Sequence, residues 1–212
     1  MKEFSIFVEG DGDKKFIEDI IQYLKDENII NLPDNDFKEK ISETKGWTTL
    51  KSNQGQSHRN KMKQTMLRGG VNLVIFDADS DIETRRQELI DLKKQYDLDF
   101  EIFLFPNDKD PGAIEELLEK IINPANQCVL DCWKNYENEL SQQIIEWKKP
   151  KQPTTPSSKS KIYAYLEALV GNTHSEKKRI KDPNRDFCNK NFWNLETLYI
   201  KPLRDFLIQH IG

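Results

Sequence analysis

Cysteine, histidine and long apolar runs are all scarce in this 212-residue sequence, which has three cysteines and three histidines. Cys128 and Cys132 stand four apart on an expected helix, with no second pair and no nearby histidine, so zinc ligation is not expected. Reduced thiols of a cytoplasmic protein are the reading that spacing supports. No apolar stretch approaches the roughly 20 residues that span a bilayer, so no membrane role is expected. The start is charged at Glu3 and again at Glu9 after a short apolar run, which does not read as a signal peptide. There is no G-x-x-x-x-G-K-[ST] phosphate loop and no internal repeat.

Charge, by contrast, is abundant. Charged residues make up 32% of the chain against 36% hydrophobic, enough apolar content for one core in a soluble protein. The net charge of −4 argues against a protein that simply coats nucleic acid. Its distribution is uneven. From Lys45 to Gly70 there is no acid, but there are Lys45, Lys51, Arg59, Lys61, Lys63 and Arg68. From Trp147 to Leu166 there is again none, but there are Lys148, Lys149, Lys151, Lys159 and Lys161. These segments read either as solvated faces or as surfaces that hold a polyanion.

The acids themselves fall just after apolar runs. Phe4–Val8 ends in Glu9-Gly10-Asp11-Gly12-Asp13, Val71–Phe76 ends in Asp77-Ala78-Asp79-Ser80-Asp81, and Phe100–Phe105 ends in Pro106-Asn107-Asp108. As neighbouring parallel strands, these runs would gather three acidic loops at one sheet edge, where open α/β folds place their sites. Carboxylates in one crevice repel unless a cation sits among them. Between the runs, Phe16, Ile17, Ile20, Ile21 and Leu24 give helical spacing from Asp13 to Asn28, with Asp13 or Asp11 as N-cap. Trp47–Leu50 reads as a short second strand, and His58–Arg68 as a helix with Met62, Met66 and Leu67 inward, closed by Gly69-Gly70. Further helices are expected over 82–96 and after Pro111-Gly112. The alternation predicts a parallel sheet with right-handed crossovers.

Beyond residue 125 the pattern becomes helical. Val129, Trp133, Tyr136, Leu140, Ile144 and Trp147 keep helical spacing, and Lys148–Ser158 is a proline-rich loop. A helix follows over Lys161–Val170, and a last one between Leu195 and Ile211 is interrupted or started near Pro202. Trp133, Trp147, Trp193 and Phe192 read as core rather than as base-stacking platforms.

Asp77-x-Asp79-x-Asp81 has three readings. As a calcium loop it fails, because Ile82 stands where glycine is needed and a strand precedes it. A phosphatase of the haloacid dehalogenase type uses a D-x-D-x-T motif after a strand, but Asp81 occupies the Thr position. The third reading is a divalent-metal site shared with an acid from another strand. Val8-Glu9-Gly10-Asp11-Gly12-Asp13 resembles the first motif of the Toprim domain, especially in the overcoming-lysogenisation-defect nucleases. Val74–Asp79 is similar to its second motif, a strand ending in D-x-D. Pro111-Gly112-Ala113-Ile114-Glu115 is similar to the Gly-x-Leu-Glu-like helix start of small stand-alone Toprim-like bacterial proteins, with Ala113 and Ile114 where Asp-Leu is commoner.

The resemblance covers residues 3–122. It implies a Toprim-like (Rossmann-like) α/β fold, a parallel sheet of about four strands flanked by helices. The core would span 1–125 and a helical extension packed on it 126–212, with the Pro/Lys/Ser loop at 148–158. It also implies a Mg²⁺- or Mn²⁺-dependent nuclease. Glu9 would be general acid/base or ligand of a second metal, and Asp77, Asp79, Asp13 and Glu115 metal ligands. Asp13 reads equally as a plain helix cap. Lys61, Lys63, Lys159 and Lys161 are the candidates for phosphate contact. The expected partner is nucleic acid, with an ATPase subunit or a second copy supplying what the chain lacks. The competing expectation is a non-catalytic metal- or nucleotide-binding regulator.

Overall fold

The computed structural model describes residues 3–33, 36–171 and 173–212. Four parallel strands, β1 (Phe4–Val8), β2 (Ile41–Glu43), β3 (Val71–Asp77) and β4 (Glu101–Phe105), form one sheet in the order β2-β1-β3-β4. Ile6 pairs with both Ile41 and Leu73, and Ile75 pairs with Phe103. Because all strands run the same way, Val8, Glu43, Asp77 and Phe105 end at one edge. The chain leaves β1 for β2 on one side and returns to β3 on the other, so the β1/β3 boundary is the switch point of the sheet.

Strand alternation divides the core into two layers. Phe4, Ile6, Val8, Leu73, Ile75, Phe103 and Phe105 face α1 (Asp11–Asp26) and α6 (Ile114–Lys120). Phe7, Val74, Phe76 and Leu104 face α4 (Gln56–Leu67) and α5 (Ile82–Tyr96) through Met62, Leu89 and Leu92. Two short helices, α2 (Asp36–Glu39) and α3 (Trp47–Lys51), flank β2. The later helices α7 (Gln127–Ser141), α8 (Ser158–Val170), α9 (His174–Arg179) and α10 (Lys201–Ile211) complete the chain. Tyr165, Phe187, Trp193, Leu203 and Leu207 join the layer of α1. The Phe16 and Phe187 rings meet edge-on at 4.9 Å, a contact worth about 1 kcal/mol beyond its area.

Four local expectations are corrected. Trp47–Leu50 is helical, because Gly46 at φ +97° turns the chain straight after β2, and the strand is Ile41–Glu43. The N-cap of α1 is Gly10, extended at φ −130°, so the helix begins at Asp11 and Asp13 is its third residue. Leu67 points to solvent at 87% exposure, because Arg59, Met62 and Thr65 are the residues that α4 buries. The helix α7 stops at Ser141, where the chain folds back through a bond from Ile145 N–H to Lys151 O (2.8 Å). Ile144 is therefore exposed, and Trp147 is 83% exposed. Among the described residues no helix is long and apolar enough to cross a membrane.

A carboxylate cavity at the sheet edge

Each strand that ends at the switch point delivers one acid. Glu9 follows β1, and its carboxylate reaches across to β3, where Oε1 accepts the backbone N–H of Asp77 at 3.2 Å. Asp77 closes β3, and its Oδ1 accepts the N–H of Ile114 at 3.0 Å, the first residue of α6. That bond also brings the adjoining Glu115 to the same place. Asp13 turns back along the first turn of α1 and accepts the Gly10 N–H at 2.8 Å. Glu9, Asp13, Asp77 and Glu115 line one cavity of about 320 Å³, with Lys159 and Arg185 in its wall.

Burial governs their protonation, and crowding adds to it. Burial, then the charges of Asp13, Glu9 and Glu115, push the Asp77 carboxyl up to about 9. Burial pushes Asp13 up to about 7, against the Gly10 hydrogen bond and with the charges of Glu9 and Glu115 adding to it. Glu9 and Glu115 are also raised, burial leading in both. Four carboxyl groups lining one cavity are a donor set of hard oxygens suited to Mg²⁺ or Mn²⁺. The residues present fit such an ion.

The other expected site residues lie elsewhere. Asp79, at φ +54°, is fixed by reciprocal backbone bonds with Gly112, and its carboxylate, 60% exposed, pairs with Arg85 outside the cavity. Arg85 is buried, lies over the Trp47 ring at 4.6 Å, and its charge favours the ionised form of Glu9. Asp81 caps α5 through the N–H groups of Glu83 and Thr84, and Asp108 accepts from Leu104 N–H and Arg86. Of the four lysines, only Lys159 lines the cavity. Lys61 donates to Ser42 Oγ (2.9 Å) and Glu39 O (3.1 Å), and Lys63 is exposed on α4. Lys161 bridges Glu119 (3.1 Å) and Glu137 (3.6 Å), tying α8 to α6 and α7.

Sequence reasoning missed the residues around Lys159. Asp182 and Arg185 line the cavity beside it, in a polar segment without periodicity, and the Tyr163 hydroxyl donates to Asp182 at 3.1 Å. A second group, Asp19, Asp186 and Cys188, has ligand atoms within 4.8 Å of one another. These atoms are engaged in structure. Asp19 accepts the Phe187 N–H at 2.8 Å, and the Cys188 thiol, pushed up to about 12 by burial, donates to Asp19 O.

A family model described as "Protein of unknown function (DUF3226)" matches residues 3–211. No curated protein and no solved structure matches the chain.

Proposed function

We propose that this chain, which belongs to the DUF3226 family, is a Toprim-like, divalent-metal-dependent phosphodiesterase acting on nucleic acid. The observation that carries the reading is the convergence of Glu9, Asp13, Asp77 and Glu115 on one cavity at the switch point of a parallel sheet. Asp77, Asp13 and Glu115 would hold Mg²⁺ or Mn²⁺, and Asp79 would join them on release from Arg85. When bound, the ion supplies a Lewis acid that polarises a phosphoryl oxygen. Glu9, oriented by the N–H of Asp77 and raised by burial above the ordinary glutamate value, serves as general acid/base. Lys159 supplies positive charge for the phosphate. The three free cysteines fit a cytoplasmic setting.

The second reading is a non-catalytic metal- or nucleotide-binding regulator. The Asp79–Arg85 pair favours it, since one expected ligand is turned away. The deciding experiment offers plasmid, single-stranded DNA and RNA to the protein with Mg²⁺ or Mn²⁺, alongside Glu9→Gln and Asp77→Asn. Cleavage that needs the ion and is lost in both variants supports the phosphodiesterase. No cleavage, or cleavage retained by both variants, refutes it for the isolated chain and leaves the regulator.

A further inference from the structure

The cavity has a second wall of opposite sign. Lys159, in the first turn of α8, and Arg185 both line it. Tyr163 stands one turn along α8, and the Arg185 guanidinium lies over its ring at 4.6 Å. All three groups converge on one carboxylate. Lys159 Nζ is 2.6 Å from Asp182 Oδ2, Arg185 Nη2 is 2.8 Å from Oδ1, and the Tyr163 hydroxyl donates to Oδ1 at 3.1 Å.

The fit between this cradle and a carboxylate is incomplete. Arg185 is only 5% exposed, and its Nε is satisfied by Ile180 O at 2.9 Å. Its buried Nη2, though close to Asp182, forms no hydrogen bond of proper geometry. A carboxylate offers two oxygens in one plane, whereas a phosphate offers oxygens around a centre to donors arriving from several directions. Lys, Arg and Tyr are also the donor types that grip phosphate. Asp182 itself sits in a single 3-10 turn, Asp182–Asn184, outside the regular elements. That turn presses on α1 where Gly12 leaves room: a Cβ there would lie 3.2 Å from Asp182 Cβ. Lys159 also acts electrostatically on Asp13 and Glu115, so the two walls face one another across the cavity.

We propose that Lys159, Arg185 and Tyr163 form a subsite for a phosphate group of the nucleic-acid backbone, and that Asp182 fills it until substrate displaces the carboxylate. This assignment rests on the phosphodiesterase reading of the acidic wall, and it concerns binding rather than turnover.

The test uses the full chain carrying Glu9→Gln, in EDTA, so that neither metal nor cleavage enters. Inorganic phosphate and a short single-stranded oligonucleotide, with and without a 5′-phosphate, are titrated by calorimetry. Adding Asp182→Asn is expected to tighten phosphate binding about tenfold, as loss of a competing anion from the cradle should. Lys159→Met or Tyr163→Phe should then cancel the gain. Preference for the 5′-phosphorylated strand would assign the subsite to a chain end, and equal binding to an internal phosphodiester. If Asp182 only staples the C-terminal segment to α1, Asp182→Asn lowers the melting temperature and leaves anion affinity unchanged, which overturns the proposal. Absence of binding by either protein overturns it too. Should Asp182→Asn fail to fold, Gly12→Ala keeps every charge and displaces the Asp182 turn, so a smaller gain in phosphate affinity is expected from it. Failure of the two readings is separable. A blank cleavage panel with a gain in phosphate affinity removes the enzyme but keeps the subsite, and cleavage without the gain does the reverse.

Discussion

Glu9 and Asp77, 68 positions apart, are joined by one hydrogen bond of 3.2 Å from the Asp77 N–H to the Glu9 carboxylate. The bond runs between the ends of the two central strands, so the acid of β1 is oriented by the backbone of β3. Neither side chain can be placed without the sheet being paired, and both then sit where burial, with neighbouring negative charge, raises them above the ordinary carboxylate values.

Asp77→Asn tests that crowding directly. Asparagine keeps an oxygen to accept the Ile114 N–H but removes a charge that the cavity opposes. The metal-free variant at alkaline pH is expected to gain about 1 kcal/mol, roughly 2–4 °C in Tm for a chain of this size. It should lose the rise in Tm that Mg²⁺ gives the parent. Differential scanning calorimetry with EDTA or Mg²⁺ reads both, and a variant still stabilised by Mg²⁺ would remove Asp77 from the ligand set.

The sign of the pH dependence follows from the same groups. Between 3.8, the ordinary value, and about 9, folded Asp77 keeps a proton that the unfolded chain has released; for Asp13 the window runs from 3.8 to about 7. The native state thus binds more protons there, and stability falls as pH rises through the window. The metal-free protein is expected to melt several degrees lower at pH ~8.5 than at pH ~5.5, and Mg²⁺ should narrow the gap. At neutral pH, metal binding should release about one to two protons, measurable by calorimetry in buffers of different ionisation enthalpy.

Arg85→Met addresses the residue that holds Asp79. Removing the guanidinium frees Asp79, which should tighten Mg²⁺ binding. It also strips from Glu9 a positive charge that favours its ionised form, so the acidic limb of the pH–rate profile should move to higher pH. Loss of stacking on Trp47 should lower stability by about 1–3 kcal/mol. Unchanged metal affinity would mean that Asp79 has no part in the site.

Lys161→Met separates the two lysines of α8. Lys161 is engaged by Glu119 and Glu137, whereas Lys159 faces the acids. The substitution is expected to cost about 1 kcal/mol and to leave cleavage and its salt dependence unaltered. A loss of nucleic-acid binding would place the phosphate path on the wrong face of the helix.

The strands were readable because each is a buried apolar run punctuated by a turn, and a parallel sheet covered on both faces writes itself that way. β2 was not, since Ile41–Glu43 offers three residues, of which only Ile41 is fully buried. Glu9 stood out because packing gives no reason for an acid at the end of an apolar run, and Asp77 because it closes another. Asp13 read equally as a helix cap, and Glu115 rested on the Toprim resemblance alone. Asp79 carried the same signal but not its destination, which depends on Arg85 six residues on and on the Gly112 backbone. Trp147 failed as a core residue because helical spacing persists past Ser141, while the chain itself reverses there. Asp182 and Arg185 lie in a segment without periodicity, where Asp182-Pro183-Asn184 signals a turn but not a site, and only their tertiary contacts give them meaning.

The cationic wall comes from residues 159 to 185, whereas the acids facing it come from residues 9 to 115. On a ribosome the acidic half therefore emerges first and must wait for its counterpart. The bond from Phe187 N–H to Asp19, spanning 168 positions, is among the contacts that end this wait. The cavity is thus closed by a later stretch of chain than the one that lays down its acids, and it is complete only once residues 159–187 have folded against α1.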